Sequence, residues 1–152
     1  MKNVNGFVLL LATLVSCVAP KENEDKKVPI VGTWQLITGT LIEKGDTVVT
    51  DYTKNSSFIK IINETHFAFL HHDLKKGKDS TAVFSSGGGT YSLSGSVYTE
   101  QLDYCSAREW EGNKFIFAID IANDTLIQRG VEKVESAGIN RINIEKYVRV
   151  KK

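Results

Sequence analysis

The chain has 152 residues, 41% hydrophobic and 24% charged, which is enough for one domain with a real core and excludes global disorder. Its formal net charge is +1, and without residues 1–16 it falls to zero, with 18 basic against 18 acidic side chains. That balance leaves no electrostatic footprint for nucleic acid, and no nucleic-acid partner is expected.

In chain order, Lys2 is followed by an apolar run from Phe7 to Val15. The run is shorter than the roughly 20 residues a membrane-spanning helix needs and has the proportions of a signal-peptide core. It ends in Leu14-Val15-Ser16-Cys17, which resembles the lipobox of bacterial lipoproteins. The resemblance implies a signal peptide over 1–16 and acylation of Cys17; an ordinary secretory signal with a chance cysteine is the alternative. Acyl chains contribute about 0.8 kcal/mol per buried CH2 and would hold the protein on a membrane. Residues 17–29 then read as the lipidated cysteine and a polar tether. The acidic cluster Glu22 to Asp25 is similar to surface-export signals of Bacteroidetes lipoproteins, with a plain solvated linker as the other reading. Cys105 is the only other cysteine, so a lipidated Cys17 leaves no internal disulfide. A partly buried structural thiol is expected there.

From Ile30 the chain reads as short strands and turns, predicting an all-β domain over 30–152. Gly32 to Ile42 is a first strand, with a turn at Gly45-Asp46. Phe58 to Ile62 and His66 to His72 flank a turn at Asn63-Glu64. Asp73 to Lys78 is a charged loop and Thr81 to Ser85 a short strand. A hairpin from Gly87 to Tyr104 follows, with Ser94-Gly95 as its loop. That loop pairs Tyr91 with Tyr98 and Gly89 with Glu100. It puts Tyr91, Leu93, Tyr98, Glu100, Leu102 and Tyr104 on one face. Ser106-Ala107-Arg108-Glu109 has capping-box spacing for one helical turn, with Trp110 covering a barrel end. Lys114 to Ile121 and Thr125 to Arg129 form another hairpin about Asn123-Asp124. Glu132 to Asn140 reads as loop, and Ile142 to Val150 closes the chain. The count is about eight to ten strands, as in a sandwich or barrel.

Gly32-Thr33-Trp34 on the first strand, with Arg149 on the last, resembles the lipocalin and calycin signature. The resemblance implies an antiparallel barrel in which Trp34 plugs one end and Arg149 packs across it. His66-Phe67-Ala68-Phe69, Gly87-Gly88-Gly89-Thr90-Tyr91, Tyr98-Thr99-Glu100, Asp103-Tyr104 and Tyr147-Val148-Arg149-Val150 together look like a lipocalin-like domain of unknown function in Bacteroidetes lipoproteins. The likeness covers about residues 30–150. Tyr147 departs from it, standing where that family is expected to carry tryptophan. The resemblance implies a fold and an outer-membrane or other envelope location, and no activity.

Glu100 is the leading site candidate, because a carboxylate on an apolar face is costly unless paired or hydrogen-bonded. If that face lines a lumen, Glu100 projects into it beside Tyr91, Tyr98 and Tyr104, and Gly89 opposite leaves room. The competing reading is a structural ion pair with Arg149 or Arg129. Parity adds Phe69 and His71, beside Phe67, and Phe117, beside Phe115, Ile119 and Ile121, as inner residues. Phe58, Lys60 and Ile62 against Ile59 and Ile61 leave their own orientation open, as do Leu126 and Ile127. No metal site is expected: His71 and His72 are adjacent on a strand and face apart, and His66 and His72 lie about 20 Å apart. Gly87-Gly88-Gly89 feeds a strand, not a helix, so it reads as a turn or bulge and not as a phosphate loop. No cofactor and no catalytic constellation is recognisable. The chain is therefore expected to be a lipid-anchored envelope protein binding a small hydrophobic or amphipathic ligand in its barrel. An interaction module with a filled barrel is the alternative. An enzyme using Glu100 or His71 as acid or base is the third reading.

Overall fold

A computed structural model describes residues 28–151. The apolar run, Cys17 and most of the tether lie outside the described residues. Nine strands form one antiparallel sheet: β1 (Gly32–Glu43), β2 (Asp46–Asp51), β3 (Ser56–Ile62), β4 (His66–Asp73), β5 (Phe84–Ser94), β6 (Val97–Cys105), β7 (Lys114–Ala122), β8 (Thr125–Val134) and β9 (Ile139–Arg149). β1 pairs with β9 along one edge and with β3 along the other, which closes eight strands into a barrel; β2 is an extra strand on the C-terminal half of β1. Closure through β1 and β3 runs from Gly32–Gln35 against Ile59–Ile62, beyond which β1 pairs with β2 instead. The sheet and its core are complete within the described residues.

Tight turns set the registers. Lys44-Gly45 and Asn123-Asp124 both have positive φ at the two loop positions, the twist that suits two-residue hairpins. The β5–β6 loop is Gly95-Ser96, and not Ser94-Gly95 as the sequence suggested. Only Gly95 has positive φ, the pattern of a turn that wants glycine first. Tyr91 therefore opposes Glu100, Leu93 opposes Tyr98, and Gly89 opposes Leu102. The move is one residue on each strand, so the faces keep their membership as far as Leu102. A bulge between Gly88 and Gly89 then puts Gly88 opposite Tyr104. An extra residue on one strand reverses the alternation beyond it. Tyr104 consequently points outward and is 71% exposed, while Cys105 turns toward the lumen.

Three other expectations change. Thr81 to Ser85 is not a separate strand: β5 runs unbroken from Phe84. Glu132 to Asn140 is mostly strand, interrupted by one 3-10 turn at Glu135–Ala137. The turn at Arg108–Trp110 has no side-chain cap, because the Ser106 hydroxyl accepts instead from the Ser86 amide across the sheet.

One pole is plugged. Trp34 is wholly buried, donates its indole N–H to the Ile30 carbonyl at 2.8 Å, and lies under the Arg149 guanidinium, 4.1 Å from its ring centroid. Arg149 in turn donates to the carbonyls of Val31 (2.8 Å) and Pro29 (2.6 Å) and lies 3.4 Å from Asp124. Glycine at 32 is required by this packing: its φ is 149°, and a Cβ there would collide with the guanidinium. Above the plug, Leu36, Ile62, Phe67, Tyr98, Phe117, Ile119, Leu126 and Tyr147 fill the lumen. Leu126 faces in and Ile127 out, as do Lys60 and Ile61, which settles the strands whose orientation was open.

Because one side chain carries the plug, Trp34→Ala should cost about 3–5 kcal/mol of stability. Arg149→Met should cost about 1–3 kcal/mol, as a cation–π contact and charge-assisted hydrogen bonds are lost. Urea titration followed by circular dichroism measures both.

Candidate functional site

The other half of the barrel is open. A cavity of about 300 Å³, lined by residues of all nine strands, lies at the pole away from Trp34. Tyr52, Phe58, Phe69, Trp110, Phe115 and Tyr147 give it aromatic walls, and Lys60, Glu132, Arg141, Asn143 and Glu145 give it polar groups. Stacked and tilted rings order the walls: Phe58 stacks on Phe69 with centroids 5.8 Å apart, and Trp110 leans on Phe115 at the same spacing.

The floor is a polar network strung across the lumen. Lys60 of β3 is 3% exposed and forms an ion pair with Glu100 of β6, itself 6% exposed. The Lys60 ammonium also donates to Gln128 Oε1 of β8 at 3.0 Å. Gln128 Nε2 then donates to Glu145 Oε2 of β9 at 3.1 Å, and the Tyr147 hydroxyl donates to the same oxygen at 2.9 Å. Both ends of the Gln128 amide are engaged, which fixes its orientation. The rings of Phe67, Tyr98 and Tyr147 surround the Lys60 ammonium at 5.3, 5.4 and 5.8 Å from their centroids. A charge in such a place is tolerable because a carboxylate, an amide and ring faces replace its water.

A second polar layer stands nearer the mouth. Glu132 accepts from Arg141 Nε at 2.8 Å and from Asn143 Nδ2 at 2.7 Å, one bond to each oxygen. The Arg141 guanidinium lies 5.3 Å from the Trp110 ring centroid. Trp110 thus borders the cavity mouth, at the barrel end opposite Trp34.

Electrostatics singles out Glu145 and the two buried phenols. Burial pushes the Glu145 carboxyl above its ordinary pKa; Lys60 opposes this, while Glu132 and Glu100 add to it. Burial and the nearby Glu145 and Glu100 carboxylates push the Tyr147 phenol well up, and burial with Glu100 does the same for Tyr98. Both phenols stay neutral. Burial, with His72 beside it, lowers the His71 pKa and favours the neutral ring.

The residues singled out from sequence are spread through the barrel. Phe69 lines the cavity. Glu100 lies in the floor, and its partner is Lys60, not Arg149 or Arg129; Arg129 is on the outer face and exposed. Tyr98 is packed between the Lys60 ammonium and Tyr91. Tyr91 belongs to the plugged pole, where its hydroxyl donates to the Asn63 carbonyl at 2.7 Å. His71 packs its ring on Tyr52 and Phe58 behind the cavity wall. Phe117 is core, 3% exposed. Tyr104 is outside the barrel.

Sequence reasoning missed Lys60, Gln128, Glu132, Arg141, Asn143 and Glu145. A signal exists in retrospect. On β9 the inward residues are Arg141, Asn143, Glu145 and Tyr147, while Ile142, Ile144 and Val148 alternate with them. On β8, Gln128 and Glu132 are buried while Ile127 and Val131 are exposed. This is inverted alternation, polar side in, and it is the mark of a lumen that is not all core.

The closed eight-stranded antiparallel barrel, plugged at one pole and open at the other, is consistent with the calycin, lipocalin-like fold. No model of a known protein family matches the chain, and no curated protein matches it.

Breaking the floor should be far worse than replacing it. Lys60→Met strands Glu100 in the lumen and should cost about 3–5 kcal/mol, whereas Lys60→Met with Glu100→Leu should recover most of that loss. A double-mutant cycle by urea unfolding reads the coupling.

Glu145 gives a pH signature. Its folded pKa lies above the unfolded one, so its contribution to stability is full below the unfolded carboxylate pKa and is lost as pH rises through the folded value. Glu145→Gln abolishes that loss. The melting temperature of the variant minus that of the wild type should be more positive at about pH 7 than at about pH 4.

Proposed function

We propose that this protein is a lipid-anchored binding protein of the bacterial cell envelope that holds one small ligand in the open half of its barrel. The observation that carries the binding reading is the cavity of about 300 Å³, walled by aromatic rings over a floor of fixed polar groups. Ligand sites have this constitution: apolar surface for contact area and a few oriented polar atoms for selection. The floor is already organised by the Lys60–Gln128–Glu145 chain, so a ligand would meet it without paying to order it.

The envelope part of the proposal rests on sequence. Lys2, the apolar run and the Ser16-Cys17 ending supply an address, and the glycine-rich, tyrosine-rich hairpin supplies the likeness to lipocalin-like lipoproteins of Bacteroidetes. The alternative, an interaction module with a filled barrel, is favoured by the lower lumen, where Glu100 is consumed by Lys60 and buried apolar side chains pack together. Against it stands the upper half of the same lumen.

Native mass spectrometry of the protein extracted in mild detergent from the envelope of a bacterial host tests both parts. The expected result is a covalent mass that begins at an acylated Cys17, plus a reproducible non-covalent mass that disappears on unfolding. Leu41→Trp, which fills the cavity from β1, should lose the non-covalent mass alone. A wild-type protein without the non-covalent mass would count for the filled module, and one without an acylated Cys17 would count against the lipid anchor.

A further inference from the structure

We infer that the ligand of this cavity is a small organic cation, an ammonium group on an apolar body, and that Glu145 receives its charge. The inference rests on the binding reading above and adds the chemical class. It follows from how the charges around the lumen are spent. The cavity and its floor hold the cations Lys60 and Arg141 and the carboxylates Glu100, Glu132 and Glu145. Lys60 is paired with Glu100, and Arg141 with Glu132. Glu132 has both oxygens engaged. Glu145 has no ion-pair partner among the described residues, and both of its hydrogen bonds end on Oε2. Its Oε1 receives none, and the residue lines the cavity.

The barrel already contains a worked instance of the recognition proposed. The Lys60 ammonium is held by a carboxylate, an amide oxygen and three ring faces. Tyr147 belongs to both places, since its ring flanks Lys60 and also lines the cavity. One layer up, a ligand ammonium would find Glu145 Oε1 as its acceptor and the rings of Tyr147, Phe58, Phe69 and Phe115 around its apolar body. Charge-assisted hydrogen bonds and cation–π contacts are strongest where water is excluded. An anionic ligand fares worse. Lys60 is 3% exposed and committed to Glu100, while Arg141 is engaged by Glu132 and lies against Trp110. The groups facing Glu145 are Lys60, Glu132, Glu100 and the Tyr147 phenol; with Lys60 neutralised by Glu100 and Glu132 by Arg141, an ionised Glu145 leaves the lumen one negative charge in excess.

The test compares three probes of one shape and different charge, phenethylamine, phenethyl alcohol and hydrocinnamate, titrated into residues 21–152, which contain the whole described barrel. Binding is followed by NMR through the indole N–H signals of the chain's two tryptophans, Trp110 at the mouth and Trp34 in the plug. The amine should bind roughly tenfold or more tightly than the alcohol, with hydrocinnamate weakest. Trp110 should shift while Trp34 stays. In Glu145→Gln, checked for folding by circular dichroism, the amine should fall to the affinity of the alcohol. An alcohol that binds as well as the amine, an acid that binds best, or a shift at Trp34 alone overturns the inference and leaves the binding reading standing. No binding by any of the three overturns it too, and the binding reading is then judged by the native mass spectrum.

Discussion

A protonated amine in the middle of a protein needs a surrounding that does the work of water, and the lumen of this barrel is arranged around that need. Lys60 reaches from β3 to a carboxylate on β6 and an amide on β8, under three aromatic rings. The demand propagates. Gln128 must present its oxygen to Lys60, so its nitrogen must face Glu145, and Glu145 must in turn accept from Tyr147. One buried charge thereby fixes side chains on four strands. The aromatic residues of the lower lumen serve at once as hydrophobic filling and as the electron-rich lining of the ammonium. Buried ion pairs contribute little net stability, but a partly satisfied one is severely penalised. The arrangement therefore specifies geometry more than it adds stability.

That floor divides the barrel into two regions of different character. Toward Trp34 the lumen is packed, and Arg149 seals it by binding backbone carbonyls of the entering chain. Toward Trp110 the same strands spread round a space whose polar groups are held in place by one another. A rigid sheet carries both, and the difference arises from which residues each strand turns inward.

Much of this was legible in the sequence. Turn residues and alternation gave an all-β sandwich or barrel, and the lipocalin-like resemblance of Gly32-Thr33-Trp34 and Arg149 chose the barrel and its plugged pole. The inward direction of Phe67, Phe69, Phe115, Phe117 and Ile119 followed from parity. Glu100 was also recognised as inward, but its partner was not. Lys60 stands between Phe58 and Ile62 on a strand whose other face carries Ile59 and Ile61, so hydrophobicity could not orient it. Tyr104 was misplaced because a bulge reverses parity partway along β6, and counting by twos cannot see an inserted residue. Glu132 was lost because its segment reads as polar loop. Arg141, Asn143 and Glu145 were lost because β9 turns its polar side in. Alternation rules assume that the inside is apolar, and they fail where a lumen has a polar floor.

The meeting of β1 and β9 at the plugged pole has a topological consequence. Trp34 and Arg149 are paired neighbours, and the amide of Val150 donates to Thr33. The chain thus enters and leaves the barrel at the same pole, the one that Trp34 closes. Anything joined before Val28 is joined there, on the side away from the cavity mouth. A tether, a fusion partner or a surface attachment at that pole leaves the opposite rim clear. The two ends could also be linked and the strand order permuted, with the lumen reading the same side chains from the same direction.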